Sequence, residues 1–258
     1  MTSRFRTPGV YEGMTCRLLR WVGALASALL PIPGLAGDPP KVVIELFTSQ
    51  GCSSCPPADR VLADLAREPG IVALSFPVDY WDYLGWKDTL ASPAYSARQR
   101  AYANARGDRQ VFTPQMIVNG KVSCVGSDRA QIGRSMTRAA AGRPTLPVRI
   151  DLAEKGAMLT IEVGRGEPSA SGEVWLLPVI KEREVAIGRG ENRGRSVTYA
   201  NVVRGMTRAG FWSGAPAYFE VPLKMARYAD ADSYVVILQG GEQEKPGPIL
   251  GAAKGPGL

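Results

Sequence analysis

The order of three short segments after residue 40 most constrains how this 258-residue chain can fold. Residues 42–47 form a β-branched, apolar run that is typical of a buried strand. A four-residue turn follows, and then Cys52-Ser53-Ser54-Cys55-Pro56-Pro57 begins a segment in which apolar residues recur at helical spacing. The sequence therefore predicts a strand, a tight turn with two cysteines, and a helix. Asp59, Asp64 and Arg67 are expected on the side of that helix away from its apolar face.

The chain contains no histidine, which narrows the chemistry available to it. Ser-His-Asp and Cys-His catalysis, His-ligated haem and His-containing zinc sites are all excluded. At the start of a helix, unpaired backbone N–H groups and the helix dipole stabilise a thiolate, which favours Cys52 as a nucleophile. Cys55, the less accessible cysteine, is then expected to resolve the mixed disulfide that Cys52 forms.

Two other interpretations of the cysteine pair stay open. The disulfide can be static, in a non-catalytic envelope protein that binds a partner or serves as a scaffold. The two thiolates can also bind Cu(I), which prefers soft ligands. Zinc is disfavoured because it takes about four ligands and the chain offers few beyond this pair. We therefore predict no metal site and keep Cu(I) binding as an alternative.

Residues 1–36 have the composition of a secretory signal peptide. Four arginines lie in the first 20 residues against one acidic residue, an apolar run occupies residues 21–30, and the small residues Gly34-Leu35-Ala36 follow two prolines. The run is shorter than the roughly 20 apolar residues that a membrane-spanning helix needs. We expect this segment to be cleaved together with Cys16, and the protein to be periplasmic or secreted and not embedded in the membrane.

The pattern from residue 38 to residue 143 alternates between strands and helices in the order β-α-β-α-β-β-α. Its clearest signal is a hairpin, in which Asn119-Gly120 separates the strands 116–118 and 121–125. The sequence therefore predicts an α/β domain over residues 38–143, with its last helix ending near residue 140.

Beyond Pro144 the pattern changes to short alternating runs separated by Gly, Pro and charged turns. This spacing is typical of antiparallel strands. The sequence predicts a smaller all-β, sandwich-like domain over residues 146–258. Its last part, residues 240–258, is expected to add a short strand and a loose tail.

The strand-CxxC-helix order and the later Thr113-Pro114, immediately before the hairpin, resemble the two anchor motifs of the thioredoxin superfamily. The resemblance implies a thioredoxin-like fold, a cis peptide at Thr113-Pro114 that faces the cysteines, and a Thr113 backbone that docks the substrate. A closer resemblance is to an exported bacterial thioredoxin-like family, the domain of unknown function 1223. That resemblance is carried by residues 45–59, 78–88, 190–192 and 201–204. It implies a fold but no established reaction.

Four residues are expected to support the cysteines, each with a structural alternative. Glu45, in the first strand, could exchange a proton with Cys55 or form a salt bridge. Trp81 and Trp86 follow a strand in an aromatic-rich segment, so they could line a lip for apolar peptides or pack in the interior. Asp128 is expected to cap the helix that follows the hairpin, where a similarity to glutaredoxins also implies a contact with glutathione.

Together these residues predict a thiol–disulfide oxidoreductase of the cell envelope that acts through Cys52 and Cys55. It needs no diffusible cofactor, because electrons come from a protein dithiol or a glutathione-like thiol. Cys124 is expected to be a small buried side chain rather than a third redox thiol.

Without residues 1–36 the chain keeps 27 basic and 23 acidic residues, a net charge of +4, and no basic stripe interleaved with aromatics stands out. Nucleic acid is therefore not an expected partner.

Overall fold

The first strand, β1 (Val42–Thr48), is buried along its whole length and lies inside a large mixed sheet. The computed structural model describes residues 39–140 and 145–258. In these two stretches no helix is long and apolar enough to cross a membrane. The expected signal peptide, with Cys16, lies outside the described residues.

The N-terminal half contains the predicted order of strands and helices. After β1 come α1 (Pro56–Ala66), β2 (Ile71–Pro77), a short 3-10 helix (Asp82–Leu84), α2 (Pro93–Arg106), β3 (Gln115–Val118), β4 (Val122–Val125) and α3 (Arg129–Ala140). Helix α2 begins after Ser92, whose hydroxyl accepts a hydrogen bond from the Ala94 N–H, and it ends before Gly107 at φ +75°. These are the preferred residues for starting and stopping a helix.

The C-terminal half is built mainly of strands. Among residues 145–258 these are β5 (Ile150–Lys155), β6 (Met158–Val163), β7 (Gly172–Ala186), β8 (Ser196–Val203), β9 (Thr207–Trp212), β10 (Ala217–Pro222), the short helix α4 (Leu223–Ala226), β11 (Ser233–Glu242) and β12 (Lys245–Lys254). The sequence did not predict β9. It was wrong about the expected loose tail, because most of that segment forms the ten-residue strand β12.

One sheet joins strands from both halves of the chain. Its order is β12-β11-β7-β8-β2-β1-β3-β4, with β9 paired to β7. Strand β1 runs parallel to β2 and antiparallel to β3, and the two halves meet where β2 pairs in parallel with β8 at Ser75 and Val202. Two domains were predicted, whereas Gly37–Leu258 form one compact unit, because β8 extends the sheet that β1 and β2 begin.

A second, three-stranded sheet of order β10-β6-β5 packs against the part of the large sheet that the C-terminal strands β7, β9, β11 and β12 form. The shared core contains apolar side chains from both sheets, such as Leu159 and Ile161 from β6 and Val236 and Leu238 from β11. Two sheet layers that bury their inner faces against each other are the arrangement expected of a sandwich.

The alternation of side chains along β1 separates two helical layers. Val42, Ile44 and Leu46 lie in the core beneath α1 and α3. Val43 and Phe47 lie in the core on the opposite face, where α2 packs. Strand β1 is thus an interior strand covered on both faces, and the turn after it carries the two cysteines.

Candidate functional site

The two cysteines form a disulfide directly after β1. Cys52 and Cys55 are bonded with their Cα atoms 5.4 Å apart. The Cys52 N–H donates to Ser49 O at 3.1 Å and the Cys55 N–H donates to Cys52 O at 3.2 Å, so the loop is a pair of tight turns. Cys52 is 2% exposed and Cys55 has no exposed surface, whereas Ser53 and Ser54 between them are exposed.

Helix α1 begins immediately after the disulfide. Cys55 is the residue that precedes the helix, and its carbonyl accepts hydrogen bonds from the N–H groups of Ala58 and Asp59. Pro56 and Pro57 occupy the first helical positions, where the N–H that proline lacks would have no partner within the helix. The cysteine loop is therefore fixed at both ends by regular structure.

Trp81 connects the cysteine loop to Thr113-Pro114. Its indole N–H donates to the Thr113 hydroxyl at 2.8 Å. A Cβ atom added to Gly51 would lie 2.9 Å from the Trp81 Cβ, so glycine is needed immediately before Cys52. The Thr113-Pro114 peptide is cis, and the Gly126 N–H donates to Pro114 O at 2.9 Å.

A second tryptophan, Trp86, forms a hydrogen bond with Gln50, two positions before Cys52. The Trp86 indole N–H donates to Gln50 Oε1 at 2.8 Å, and the Gln50 N–H donates to the Asp88 carboxylate at 2.8 Å. Both tryptophans are partly buried, and their N–H groups bind residues of the turn or of the proline loop. The aromatic segment therefore fixes the two loops relative to each other.

Asn192, from the C-terminal half, contacts the cysteine loop directly, and the sequence interpretation missed it. Its amide nitrogen donates to Cys52 O at 2.8 Å and to Gln50 O at 3.0 Å. Asn192 is 1% exposed, although its neighbours in this Gly- and Arg-rich loop, Glu191 and Arg193, are exposed. The neighbouring Glu191 carboxylate accepts a hydrogen bond from the Ser53 N–H at 3.3 Å. The only sequence signal for this contact was the family resemblance of residues 190–192.

Asp59 is buried beneath the cysteine loop, contrary to the expectation that it lies on the exposed side of α1. It is 1% exposed, and burial raises the pKa of its carboxyl to about 8. Thr48 at the end of β1 donates its hydroxyl to Asp59 Oδ1 at 2.7 Å. The helical pattern failed here because α1 packs on a third surface, strand β8, in addition to β1 and β2.

Glu45 lies on the face of β1 opposite α1. Arg98 Nε of α2 donates to Glu45 Oε1 at 2.7 Å, and the Tyr102 hydroxyl donates to Oε2. The side chains of Glu45 and Arg98 are 0% and 6% exposed. The salt-bridge alternative is therefore what the structure contains, and Glu45 is not placed to exchange a proton with Cys55.

The remaining candidates have structural contacts. Asp128 accepts a hydrogen bond from the Gln131 N–H at 2.9 Å and so caps α3 as expected. Cys124 is a free thiol, buried in the core beneath α1. Within the described residues no three Cys, Asp or Glu side chains are grouped so that they could hold a metal ion.

These features define an α/β protein with a disulfide at the junction of a central strand and a helix. The chain belongs to the family described as "Protein of unknown function (DUF1223)", whose family model matches residues 43–239. This confirms the family resemblance found in the sequence.

Three individual proteins place the fold among known structures and sequences. The crystal structure of AGR_C_4864 from Agrobacterium tumefaciens is 32% identical, with a TM-score of 0.77 over 86% of this chain and 97% of that chain. HBP35 of Porphyromonas gingivalis is 12% identical, with a TM-score of 0.58 over 85% of this chain and 76% of that chain, a likeness that shows the fold alone. A probable thioredoxin of Archaeoglobus fulgidus is 42% identical over 38 residues, or 15% of this chain. The chain spans 42% of the length of that curated relative.

Proposed function

We propose that the protein is a thiol–disulfide oxidoreductase that acts through Cys52 and Cys55. The observation that carries the proposal is the disulfide itself, at the end of β1 and next to the start of α1, in a loop that Trp81 joins to Thr113-Pro114. The short match to a probable thioredoxin agrees with this chemistry. Within this proposal, the part of the chain from β1 to α3 is a thioredoxin-like unit, because its strand order β2-β1-β3-β4 has one parallel and two antiparallel pairings.

In this proposal the substrate thiolate attacks the sulfur atom of Cys52. Cys52 is the more exposed of the two cysteines and is preceded by a glycine that lets the loop lie against Trp81. A substrate thiolate attacks Cys52 Sγ, forms a mixed disulfide and displaces Cys55. A second substrate thiol then attacks the substrate sulfur of the mixed disulfide, which oxidises the substrate and leaves both protein cysteines reduced. The reverse sequence reduces a substrate disulfide.

The substrate side of the site has both polar backbone and exposed aromatic surface. In this proposal the Thr113 backbone docks an extended substrate segment beside the cysteines. Phe112, 40% exposed, precedes it, and Tyr83, 78% exposed, lies in the 3-10 helix that follows Trp81. Solvent-exposed aromatic side chains at such positions favour an apolar peptide as substrate. The redox partner is a protein dithiol or a glutathione-like thiol, in a periplasmic or secreted setting.

A static disulfide in a binding protein is the second candidate. Two observations favour a static disulfide: Cys52 is only 2% exposed, and the Asn192 amide donates a hydrogen bond to the Cys52 carbonyl. A disulfide of this kind would resist reduction in the folded protein, because a reductant reaches the sulfur atoms only when the loop opens.

Insulin reduction by dithiothreitol separates the two candidates. The wild-type protein and the control Cys124→Ser are expected to accelerate precipitation of the insulin B chain, since Cys124 is buried away from the disulfide. Cys52→Ser is expected to be inactive, and Cys55→Ser is expected to accumulate a mixed disulfide with a substrate thiol. If the wild-type protein shows no rate above dithiothreitol alone, the oxidoreductase proposal is wrong.

A further inference from the structure

Opening the Cys52–Cys55 disulfide creates a charge in a buried position; this inference rests on the proposed function. When a substrate thiolate attacks Cys52, Cys55 leaves with the bonding electron pair as a thiolate. Cys55 has no exposed surface, and an unpaired charge in such surroundings is costly. A proton donor beside Cys55 would remove that cost, so the groups next to this residue determine how readily the disulfide opens.

Asp59 is the acidic residue that helix α1 places next to Cys55. Cys55 already has helical backbone angles, φ −80° and ψ −38°, so residues 55 and 59 are i and i+4 neighbours. Side chains at this spacing lie on one helix face with Cβ atoms about 5–6 Å apart, and each side chain is tilted towards the helix N-terminus. The Asp59 N–H donates to Cys55 O at 3.1 Å, which fixes this register.

One carboxyl oxygen of Asp59 is bound and the other is available. Thr48 donates to Oδ1, whereas Oδ2 is buried and has no hydrogen-bond partner among the described residues. Burial raises the pKa of this carboxyl to about 8, against the lowering effect of the Thr48 hydroxyl. Near neutral pH Asp59 is therefore mostly the neutral acid, with a proton to donate.

Ionisable groups from α1 itself and from two further segments act on Asp59. Asp88, between the 3-10 helix and α2, raises the pKa of Asp59 by like-charge repulsion, and Arg60, the next residue on α1, lowers it. Burial raises the pKa of the Tyr199 phenol on β8, and the Asp59 and Asp88 carboxyls raise it further. Tyr199 thus stays neutral. Burial and the Asp88 charge outweigh the effects of Thr48 and Arg60, so the protonated form of Asp59 is favoured.

The geometry points to Asp59 as the proton donor for Cys55 during reduction of the disulfide. In this step the substrate thiolate forms an S–S bond with Cys52, and the Cys52–Cys55 bond breaks. The electron pair of the broken bond goes to Cys55 Sγ, which takes the proton of Asp59 and becomes a thiol. Asp59 is left as a carboxylate. In the reverse step this carboxylate takes the proton from Cys55 as its sulfur attacks the mixed disulfide.

The pH dependence of disulfide reduction tests this assignment. Oxidised protein is mixed with dithiothreitol, quenched with acid at set times, and its alkylated thiols are counted by mass spectrometry. Each rate constant is divided by the concentration of dithiothreitol thiolate. For the wild-type protein the result is expected to be constant up to about pH 8 and to fall above it, as Asp59 loses its proton. In Asp59→Asn the rate constant per dithiothreitol thiolate is expected to be at least about tenfold lower at pH 7. It is also expected to show no fall above pH 8.

Asp64→Asn is the matched control, because Asp64 lies on the same helix with its side chain 43% exposed. This variant is expected to keep the wild-type profile. A wild-type profile that is flat from pH 6 to pH 9.5 overturns the role of Asp59 even if Asp59→Asn does not fold, and it leaves the oxidoreductase proposal intact. A disulfide that dithiothreitol does not reduce at any pH overturns the oxidoreductase proposal, and this inference with it.

Discussion

Replacing Asp59 by asparagine is expected to stabilise the oxidised protein near neutral pH. Burial raises the pKa of this carboxyl from 3.8 to about 8 in the folded protein. The folded state therefore holds a proton that the unfolded chain releases, so the free energy of unfolding falls as the pH rises from about 4 to about 8. Asparagine has no such proton, and the variant escapes this loss of stability.

The size of the effect follows from the two pKa values of Asp59. A difference of one in pKa corresponds to about 1.4 kcal/mol, so the wild-type protein loses on the order of 5 kcal/mol relative to the variant between pH 4 and pH 8. The new amide nitrogen would occupy the place of the unpartnered Oδ2, which costs about 1–3 kcal/mol at every pH. Asp59→Asn is thus expected to be slightly less stable than wild type near pH 4 and a few kcal/mol more stable at pH 8.

Urea unfolding of the oxidised proteins at pH values from 4 to 8 measures this difference. The control is Asp64→Asn, because the hydrogen bond from Arg129 lowers the pKa of Asp64. The Asp64 carboxylate stabilises the folded state above its unfolded pKa and loses that effect as the pH falls, so this variant is expected to lose stability at neutral pH. If the stabilities of wild type and Asp59→Asn run parallel from pH 4 to pH 8, Asp59 does not hold a proton in the folded protein.

Three further changes test contacts around the site. Asn192→Ala removes a hydrogen bond to the Gln50 carbonyl and one of the two hydrogen bonds to the Cys52 carbonyl, so it is expected to cost about 2 kcal/mol in urea unfolding. Arg193→Ala, at an exposed position of the same loop, is expected to stay within about 0.5 kcal/mol, and equal losses would contradict the Asn192 contact. Glu45→Gln leaves the Arg98 guanidinium buried without its counter-charge and is expected to cost about 3–5 kcal/mol; a loss below 1 kcal/mol would refute this. Cys124 is expected to react with Ellman's reagent only in denaturant, because it is 2% exposed and burial raises the pKa of its thiol.

The elements that could be predicted from sequence are those whose determinants are close in the chain. Strand β1, the cysteine turn and α1 follow each other within 25 residues, and apolar spacing and two prolines mark their limits. The hairpin of β3 and β4 turns at Asn119 and Gly120, which both have positive φ, 48° and 68°. Such a turn needs these residue types, so the local sequence suffices to place it.

The sheet that unites the two halves could not be predicted in the same way. Strand β8 pairs with β2 through Ser75 and Val202, which are far apart in sequence, and no local pattern specifies which strand becomes its neighbour. Strand β12 was expected only as a short strand followed by a loose tail, because Pro246 and Pro248 argue against a longer strand. It lies at the edge of the sheet, where proline is tolerated because one side of the strand needs no ladder hydrogen bonds.

In the candidate site too, the residues in local motifs could be predicted, whereas those that depend on tertiary contacts could not. Cys52, Cys55 and Thr113-Pro114 were found because they are motifs with fixed spacing. Asn192 is 140 positions from Cys52, so its contact exists only after the long-range sheet has formed. Asp59 was assigned to the solvent side because a charged residue in an amphipathic helix is usually exposed.

The reduction potential of the Cys52–Cys55 pair is the decisive measurement. Folded protein is equilibrated with dithiothreitol or glutathione redox buffers, and the fraction of reduced pair is determined by alkylation. A redox-active pair is expected to be reduced reversibly, without denaturant, at a potential between about −270 and −120 mV. A pair that stays oxidised in the folded protein down to about −300 mV, and is reduced only after unfolding, would be a structural disulfide and would contradict the proposed function.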